Sequence, residues 1–301
     1  HPTLRRQRQM CIRDRSKFPI VIKVDGLAAG KGVTIAHSAE EAHKALDDAM
    51  QKKIFGSAGT KVVIEDFLQG EEASFIVLCD GKKTIPFASS QDHKARDNND
   101  LGPNTGGMGA YSPAPIVTEE IHKQVMEKII KPTIDGLKSE GITYKGFLYA
   151  GLMIKNSEIS VLEFNCRFGD PETQPILMRM ESDLAEICLL AAQGNLNERE
   201  ISWTKDSALG VVIASKGYPF EYEKNKEINN LENENPRQKV FHAGTKTQEG
   251  KVLSNGGRVL CVTALGSTLL DSKNLAYQKV KNIDWEEGFY RDDIGDKAIK
   301  S

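Results

Sequence analysis

The sequence predicts an α+β fold, because short apolar runs rich in β-branched residues alternate with segments of helical periodicity. Residues 20–24 form one such run, and residues 42–49 then place alanine and leucine on one helical face. After about residue 195 the pattern changes to strands separated by polar connections, which places a domain boundary near 195–203. With 301 residues, the chain is long enough for two domains that each bury a core.

The predicted strands before this boundary are short and bounded by turn residues. They span residues 20–24, 33–35, 61–65, 73–79, 148–154 and 159–165. Asp80-Gly81 predicts a hairpin turn after the fourth strand, and Asn156-Ser157 joins the last two. The polar segment over 89–115 shows no periodicity, and loops of that length are usually functional or disordered.

Capping residues and glycines mark the predicted helices. Ser38 and Glu41 have the spacing of a capping box, and Ser182 is expected to cap a later helix that ends near Gly194. A helix over 118–137 is expected to bend at its proline. The remaining predicted elements are strands over 208–214 and 258–264 and a final helix over 272–281.

The composition argues against several classes of function. The formal net charge is −2 with both signs interspersed, so we expect neither a nucleic-acid nor a membrane partner. No apolar stretch approaches the length of a membrane span. The five cysteines form no CxxC pair and no ligand-like spacing with histidine, which argues against a zinc site and a disulfide framework. We therefore expect a reducing, cytoplasmic compartment.

Residues 1–16 differ from the rest of the chain, with five arginines and little apolar periodicity. We expect this basic tail to be disordered or artefactual and foreign to the fold. A nucleic-acid-binding tail and a targeting segment are the alternatives for such a run. The tail has neither the apolar run of a secretory signal nor an evident amphipathic transit helix.

The most informative stretch is Glu163-Phe164-Asn165-Cys166-Arg167-Phe168-Gly169-Asp170-Pro171-Glu172, which continues the last strand before the boundary. Side chains on a strand alternate between its faces, so Glu163, Asn165 and Arg167 should point the same way. The residues expected to point into the core are Leu162, Phe164 and Cys166. A carboxylate, an amide oxygen and a guanidinium on one face could hold Mg²⁺ and bind a phosphate beside it. The alternative is a solvated edge strand.

A glycine-rich turn from Gly26 to Gly32 follows the first strand. Backbone N–H groups in such a turn can approach phosphate oxygens closely, and Lys23 and Lys31 add positive charge. The turn has neither the P-loop pattern nor the Rossmann spacing. A tight hairpin that needs glycine explains the same residues equally well.

Acidic residues surround the end of the strand over 61–65. Glu65-Asp66-Phe67-Leu68 can offer backbone C=O and N–H groups to an adenine edge. An acidic side chain of the following Gly70-Glu71-Glu72 can accept hydrogen bonds from ribose hydroxyls. Acidic strand ends are also ordinary protein surface, which is the alternative.

The segment over 89–115 contains two polar motifs. In the first, Asp92 and Arg96 suit an amine and a phosphate, whereas we interpret His93 as a structural residue. The second is Asn104-Thr105-Gly106-Gly107-Met108-Gly109, with three glycines in four residues. Such freedom of the backbone suits a loop that closes around a small polar substrate.

Taken in order, these motifs resemble the phosphoribosylamine–glycine ligase (glycinamide ribonucleotide synthetase) family of the ATP-grasp superfamily. The resemblance runs from Lys17 to the end of the chain. The matching motifs are residues 23–33, 65–74, 102–113 and 167–172, followed by 214–219, 241–245, 255–259 and 290–295.

The resemblance implies an ATP-grasp fold, in which two α+β subdomains grip ATP, followed by a smaller, mostly-β C-terminal domain. The implied ATP-grasp domain spans residues 17–195, with a nucleotide lid subdomain over 17–72 and a central subdomain over 73–195. The C-terminal domain spans residues 196–301. The family's N-terminal domain has no counterpart in this sequence, so we expect the chain to lack it.

The same resemblance implies a set of site residues. The ATP-binding residues are Lys23, Gly26, Ala28, Gly30, Lys31 and Gly32 at the phosphates, Glu65, Asp66, Phe67 and Leu68 at the adenine, and Glu72 at the ribose. Glu163 and Asn165 are the implied ligands of Mg²⁺ or Mn²⁺, and Arg167 and Asp170 the implied catalytic residues. The expected substrate-binding residues are Asp92, Arg96, Asn104, Thr105, Gly106 and Gly107.

One motif departs from the family pattern. The family commonly has an arginine directly after the His-Lys pair and an acidic-Gly-acidic run beyond it. Here Ala95 follows the pair, Arg96 comes one residue later, and Asn98-Asn99-Asp100 replaces the run. The contact with the ribonucleotide is therefore left open at this place.

The implied reaction joins glycine to 5-phosphoribosylamine through a glycyl phosphate, with ATP and Mg²⁺ or Mn²⁺, in purine biosynthesis. We expect a monomer whose partners are these small molecules. Two alternatives stay open. One is another ATP-grasp enzyme, such as a different carboxylate–amine ligase or a biotin-dependent carboxylase, and the other is a non-catalytic ATP-binding fragment.

Overall fold

The computed structural model describes residues 17–26, 28, 32–197, 199–232 and 235–300. The predicted tail over 1–16 lies outside the described residues, as do Gly30 and Lys31 of the predicted phosphate loop. The chain divides into two compact units. The first unit contains the described residues up to Gln69 together with Asn104–Gly106, and the second contains Gly70–Pro103 and the residues from Gly107 onwards.

The first unit is built on a three-stranded antiparallel sheet in the order β2-β1-β3. Its elements are β1 (Ile20–Val24), β2 (Val33–Ala36), α1 (Ala39–Leu46), a π-helical turn (Asp47–Gln51), a 3₁₀ turn (Gly56–Thr60) and β3 (Val62–Asp66). The Ser38 hydroxyl accepts a hydrogen bond from the Glu41 N–H at 3.2 Å, so the predicted start of this helix is confirmed. Ile20 and Ile22 of β1 are buried against Ala42 and Leu46 of the helix.

The second unit contains a four-stranded antiparallel sheet in the order β11-β10-β4-β5. Its strands are β4 (Glu71–Asp80), β5 (Thr84–Pro86), β10 (Lys145–Lys155) and β11 (Glu158–Asn165). Both predicted hairpins are confirmed. The Asp80 carboxylate accepts the N–H groups of Lys82 and Lys83 at 2.7 Å in one turn, and Asn156 and Ser157 both have positive φ in the other.

The predicted helix over 118–137 is present as three consecutive segments. They are α2 (Glu119–Val125), a π-helical turn (Met126–Ile130) and α3 (Lys131–Ser139). Pro132 lies at the start of α3, directly after the wider π turn, where its missing N–H is tolerated. Ile121, Val125 and Ile130 are buried in one core cluster with apolar residues of β4 and β10.

A second, six-stranded sheet runs in the order β13-β16-β12-β9-β6, with β17 paired to β12. Its strands are β6 (Gln91–Asp92), β9 (Gly109–Ser112), β12 (Ser207–Ser215), β13 (Gln238–His242), β16 (Arg258–Gly266) and β17 (Gly288–Phe289). Because β6 and β9 precede residue 195 and the others follow it, this sheet joins strands from both sides of the predicted boundary. The domain bounds themselves stay a prediction.

The expectation that the segment over 89–115 is irregular is wrong. Besides β6 and β9, it forms β7 (Ala95–Asp97), a 3₁₀ turn (Asn98–Asp100) and β8 (Leu101–Asn104). These strands have two to four residues each. That is too short for a period-two pattern to stand out. The strands form by pairing, β6 with β9 and β7 with β8 inside the segment, and β9 also with the distant β12.

The remaining elements are α4 (Thr173–Arg179), α5 (Leu184–Gln193), β14 (Thr245–Gln248), β15 (Lys251–Ser254), α6 (Leu269–Asn282) and α7 (Asp296–Lys300). The cap of α5 is Asp183, whose carboxylate accepts the Glu186 N–H at 3.0 Å, and not Ser182 as expected. The end of that helix is confirmed at Gly194, which has a φ of 76°. No helix among the described residues is long and apolar enough to cross a membrane.

Candidate active site

In the first unit, Lys23 and Glu65 form an ion pair across the sheet. The register of β1 with β3 places them diagonally on one face, and Lys23 Nζ lies 2.6 Å from Glu65 Oε2. Ile35 and Val63, on the same face, are 40% and 42% exposed. This face therefore combines a lysine, paired with Glu65, with uncovered apolar surface.

The glycine-rich turn after β1 is described only in part. A Cβ on Gly26 would lie 2.6 Å from the Ala58 Cα, and one on Gly32 would lie 2.2 Å from Val24 Cγ2. Val24 also donates its N–H to the Gly32 carbonyl at 2.9 Å. The backbone of Ala58 beside Gly26, and the side chains of Val24 and Ala28 beside Gly32, therefore leave no room for a Cβ, as the hairpin alternative expects. The role of Gly26, Ala28 and Gly32 at phosphates stays a prediction.

The residues expected at the adenine lie where β3 ends. Asp66 is the last residue of the strand and is exposed, and Phe67 and Leu68 follow it half-buried. Of the expected substrate residues in the first unit, Asn104 is exposed and Thr105 is buried. Their roles at the adenine and at the substrate stay predictions.

In the second unit, four charged side chains form what we call the Lys94 cluster. Its members are Lys94, Glu72, Asp92 and Glu172. The Nζ of Lys94 lies 3.5 Å from Asp92 Oδ2 and 3.9 Å from Glu72 Oε2. Asp92, ahead of Glu72 and Glu172, raises the pKa of Lys94 well above its usual range. Three carboxyl groups face one ammonium here, which suits an additional cationic ligand such as an amine.

Glu172 is deeply buried in this cluster, with 3% of its surface exposed. Its Oε1 accepts a hydrogen bond from Ser74 Oγ at 2.9 Å, and Ser74 Oγ lies 2.9 Å from the Tyr149 hydroxyl oxygen. Burial, reinforced by the Asp92 carboxylate, raises the pKa of Glu172 to about 7. Desolvation also raises the pKa of Glu72, although 41% of its side chain is exposed. Both carboxyl groups therefore titrate closer to neutrality than an ordinary glutamate.

We expect Glu172→Gln to remove a pH dependence of stability. The folded-state pKa of Glu172 lies above the ordinary glutamate value of 4.5, so the wild-type protein loses stability as the pH rises from 4.5 to about 7. A shift of this size corresponds to on the order of 3 kcal/mol in the free energy of unfolding. Urea unfolding between about pH 4.5 and about pH 8 measures the fall.

The matched control for this prediction is Glu127→Gln, which removes an exposed glutamate of the π-helical turn. The fall in stability with rising pH should be smaller in Glu172→Gln than in the wild type and in the control. An equal fall in all three proteins would contradict the assignment of the raised pKa to Glu172.

Glu163 and Asn165 lie side by side near the end of β11. They pair with Gly151 and Tyr149 of β10 and therefore share one face of the sheet, and Asn165 Nδ2 donates to Glu163 Oε1 at 3.0 Å. A carboxylate and an amide oxygen are hard ligands, and Mg²⁺ commonly binds one or two carboxylates together with substrate phosphates. Across the described ranges no group of three or more His, Cys, Asp and Glu could hold a metal. The pair thus fits a divalent cation that takes its other ligands from substrate and water.

The opposite face of β11 differs from the prediction. Phe164 is 41% exposed, Cys166 is exposed and Leu162 is half-buried, so the expectation that they point into the core is wrong. β11 is the end strand in the sheet order, and a β-bulge between Gly151 and Leu152 shifts its register. An end strand has a neighbour on one side only, which leaves more of its surface uncovered. The edge-strand alternative therefore holds for β11, while Glu163 and Asn165 still share a face.

Arg167 and Asp170, the expected catalytic residues, follow β11. Arg167 is exposed and donates through Nη1 to the Phe168 carbonyl at 2.9 Å. The Asp170 carboxylate accepts a hydrogen bond from Arg258 Nη2 at 3.0 Å. Sequence reasoning assigned no role to Arg258, although this residue lies within the motif over 255–259. It also assigned no role to Glu172, the last residue of the run that begins at Glu163.

The glycine loop passes directly beside two other predicted site segments. Gly107 has a φ of 116°, which favours glycine. A Cβ there would lie 2.4 Å from Pro171 Cδ and 3.6 Å from Asp92 Oδ2. The structure therefore brings Gly107, Asp92 and the residues around Pro171 together, although they are distant in sequence.

Arg96 and His93 are held by protein partners. Arg96 binds both carboxylate oxygens of Asp97 at 2.8 Å and lines a cavity of about 400 Å³ beside Tyr290. Its role at a phosphate stays a prediction. His93 is buried, and its Nε2 accepts the Gly295 N–H at 3.3 Å. Burial lowers the pKa of His93 to about 4, as expected of a neutral structural histidine.

Two family models match the chain. Residues 5–173 match the phosphoribosylglycinamide synthetase ATP-grasp (A) domain, and residues 208–297 match the C domain of the same synthetase. The chain belongs to the phosphoribosylglycinamide synthetase family. The first match begins at residue 5, inside the segment predicted to be a foreign tail.

Relatives of known name support the same family. A phosphoribosylamine–glycine ligase from Pasteurella multocida is 54% identical over 282 residues, which cover 93% of this chain and 66% of that protein. One from Salmonella typhimurium is 56% identical over 285 residues, which cover 94% of this chain and 66% of that protein. The chain therefore spans slightly less than two thirds of the length of these curated relatives.

Solved structures show the fold. A phosphoribosylamine–glycine ligase from Thermotoga maritima superposes with a TM-score of 0.84 at 33% identity, covering 96% of this chain and 72% of that one. A biotin carboxylase from Campylobacter jejuni gives a TM-score of 0.72 at 12% identity, covering 98% of this chain and 64% of that one. At such low identity the second likeness concerns the fold alone. The predicted α+β, ATP-grasp fold is confirmed.

Proposed function

We propose that the chain carries the ATP-dependent step of a phosphoribosylamine–glycine ligase. The overall reaction converts ATP, glycine and 5-phosphoribosylamine into glycinamide ribonucleotide, ADP and phosphate. The observation that carries this proposal is 54% identity over 282 residues to a relative of that name. The adjacent carboxylate and amide of Glu163 and Asn165 support it, because activation of a carboxylate by ATP needs a divalent cation.

The reaction needs two group transfers because a carboxylate oxygen is a poor leaving group. First, an oxygen of the glycine carboxylate takes the γ-phosphoryl group, the bond from that phosphorus to the bridging oxygen breaks, and ADP leaves. The amine nitrogen of phosphoribosylamine then attacks the acyl carbon, the carbon–oxygen bond to phosphate breaks, and the amine loses a proton. The protein provides position and charge neutralisation, and no covalent nucleophile is required.

Each unit offers residues for this chemistry. In the first unit, Lys23 is the proposed contact for ATP phosphates. In the second unit, Glu163 and Asn165 would hold Mg²⁺ or Mn²⁺, which when bound neutralises and polarises phosphate oxygens. Asp92, within the Lys94 cluster, is the proposed contact for a substrate amine. The other site assignments, the monomeric state and the cytoplasmic location remain predictions.

The second candidate is an ATP-binding fragment without turnover. The observation in its favour is that the chain spans 66% of the length of its curated relatives. An enzyme assay separates the two candidates. The purified chain is incubated with ATP, Mg²⁺, glycine and 5-phosphoribosylamine, and release of phosphate and formation of glycinamide ribonucleotide are measured. Turnover that requires both substrates supports the ligase, whereas nucleotide binding without turnover supports the fragment. Replacing glycine by bicarbonate tests the carboxylase alternative.

Lys23→Ala is expected to weaken ATP binding by roughly 10- to 100-fold, because it removes a charged hydrogen-bond donor from the phosphates. Isothermal titration calorimetry with ATP and Mg²⁺ measures the change. Lys44→Ala is the matched control, since Lys44 is an exposed lysine of α1 that pairs with Asp48. An affinity for ATP that is the same in Lys23→Ala, Lys44→Ala and the wild type would remove Lys23 from the nucleotide site.

A further inference from the structure

Arg258 connects two loops that carry predicted site residues of the second unit. Its Nη1 donates to the Asp170 carbonyl at 2.8 Å and to the Gly107 carbonyl at 3.3 Å. Its Nη2 donates to the Asp170 carboxylate at 3.0 Å. Asp170 follows β11, whereas Gly107 precedes β9. One guanidinium group from β16 therefore holds both loops.

The backbone of Arg258 is held by two neighbouring segments. It is the first residue of β16, where it pairs with Ala214 of β12, and its carbonyl accepts the Gly244 N–H at 3.1 Å. The side chain of Arg258 is 21% exposed, against 52% for Asp170. The Arg258 guanidinium is therefore less mobile than the more exposed Asp170 carboxylate and can hold it in one orientation.

We propose that Arg258 is a positioning residue of the ligase site, which orients the Asp170 carboxylate and the glycine loop at Gly107. The proposal rests on the proposed function, because only that function gives Asp170 a substrate to meet. Arg258 acts through the residues that it holds, since the contacts described above go to protein acceptors.

Gly107 and Asp170 are each ordered by Arg258, for different reasons. Glycine has more backbone freedom than any other residue type. A donor on the Gly107 carbonyl therefore restricts the conformation of the loop at that residue. The half-exposed Asp170 side chain samples several rotamers unless partners fix it, and Arg258 at 3.0 Å provides a shorter hydrogen bond than Gln174, whose Nε2 donates to Asp170 Oδ1 at 3.3 Å. An arginine serves both needs because its planar fork directs several N–H groups at once, which the single ammonium of lysine does not.

The test is steady-state kinetics of glycine-dependent ADP formation in Arg258→Ala and Arg258→Lys. Misplacement of reacting groups by about 1 Å costs roughly 100-fold, so we expect kcat to fall by roughly 10- to 100-fold in both variants. The KM for ATP should stay within about twofold of the wild type, because the nucleotide contacts are elsewhere in the chain. A wild-type kcat in Arg258→Ala, or a raised KM for ATP with unchanged kcat, would overturn the proposal.

A double variant shows whether Arg258 acts through Asp170. If it does, Arg258→Ala combined with Asp170→Asn should be at most a few-fold slower than Asp170→Asn alone. Losses that multiply in the double variant would mean that the two residues act independently, against the proposal.

Arg237→Ala is the matched control for loss of an arginine. Arg237 binds the Asp206 carboxylate at 2.6 Å and the Leu265 carbonyl at 3.2 Å, and it lies outside the site described above. This variant should keep the wild-type kcat. Circular dichroism and thermal unfolding show whether each variant is folded. If Arg258→Ala is not folded, the kcat of the folded Arg258→Lys variant tests the proposal, and a wild-type kcat in that variant overturns it.

Hydrogen–deuterium exchange measures the ordering of the two loops without requiring turnover. If the wild-type chain shows no glycine-dependent turnover, the proposed function fails, and loop ordering is then measured directly. Exchange should be faster in Arg258→Ala than in Arg237→Ala for peptides that cover Gly107 and Asp170, and unchanged in β4. Equal exchange in both variants would overturn the role of Arg258 in holding the loops.

Discussion

Glu163→Gln is expected to lower glycine-dependent ATP turnover by roughly 10²- to 10³-fold, or about 3–4 kcal/mol of transition-state stabilisation. The substitution removes the charge of the carboxylate that is proposed to hold the divalent cation. It keeps the size of the side chain and an oxygen that can accept the hydrogen bond from Asn165, observed at 3.0 Å. The fold should therefore be preserved, and the loss should be steepest when Mg²⁺ is limiting.

Glu158→Gln is the control for this substitution, because Glu158 is an exposed glutamate at the start of the same strand. Initial rates of ADP formation are measured for the wild type and both variants over a range of Mg²⁺ concentrations. Near-normal turnover by Glu163→Gln at limiting Mg²⁺ would remove Glu163 from the metal site. A comparable loss in Glu158→Gln would point to a general effect of charge on this strand.

Arg291→Met is expected to destabilise the protein by about 2–4 kcal/mol, because it removes the charge-assisted hydrogen bonds of a buried guanidinium and leaves the half-buried Asp293 carboxylate without its partner. Arg291 is 1% exposed and donates to both oxygens of the Asp293 carboxylate at 2.7 Å. It also donates to the Asp100 carboxylate and to the Ala95 carbonyl, each at 3.0 Å. Residues near the C-terminal end thus anchor the segment that contains β7 and the following 3₁₀ turn.

Urea unfolding at neutral pH measures this loss, with Arg199→Ala as the control. Arg199 pairs with Glu186 at 2.9 Å, but both side chains are more than half exposed, so its loss should cost less than about 1 kcal/mol. Equal and small losses in the two variants would contradict the role of Arg291.

The cost of Arg291→Met should also depend on pH. Despite the opposing desolvation, the hydrogen bonds and charge of Arg291 lower the pKa of Asp293 to about 2, below the ordinary aspartate value of 3.8. A lowered folded-state pKa contributes stability that is present above pH 3.8 and is lost as the pH falls towards about 2. The difference between the wild type and Arg291→Met should therefore shrink in that range. A constant difference would show that packing, and not the ion pair, sets the cost.

Local sequence patterns predicted the parts of the site that are formed by neighbouring residues. The period of two along β11 correctly placed Glu163 and Asn165 on one face, because alternation is a property of any strand. The same pattern failed for Phe164, since alternation says which face a side chain takes and not whether another element covers that face. Coverage depends on the position of the strand in the sheet, which no local pattern contains.

Contacts between distant residues were beyond such patterns. The hydrogen bond from Ser74 to Glu172 spans 98 positions, those from Arg258 to Asp170 span 88, and the one from Arg291 to Asp100 spans 191. Polar side chains have many equivalent partners on the surface of an unfolded chain. Only the packing of strands and loops selects one of them, so motif reasoning found Asp170 without finding the arginine that holds it.

The order and chemistry of the motifs, read without coordinates, were enough to place the chain in its family and to assign it an ATP-grasp fold. They were enough because several separate motifs in the same order resemble one family, whereas hydrogen bonding and side-chain alternation, which depend on nearby residues, predicted only the strands, turns and helix caps. The burial that raises the pKa of Glu172, the exposure of β11 and the connection of two loops by Arg258 were decided by the tertiary structure. Each of these depends on surface removed from water, or on charges brought together, by segments that are far apart along the chain.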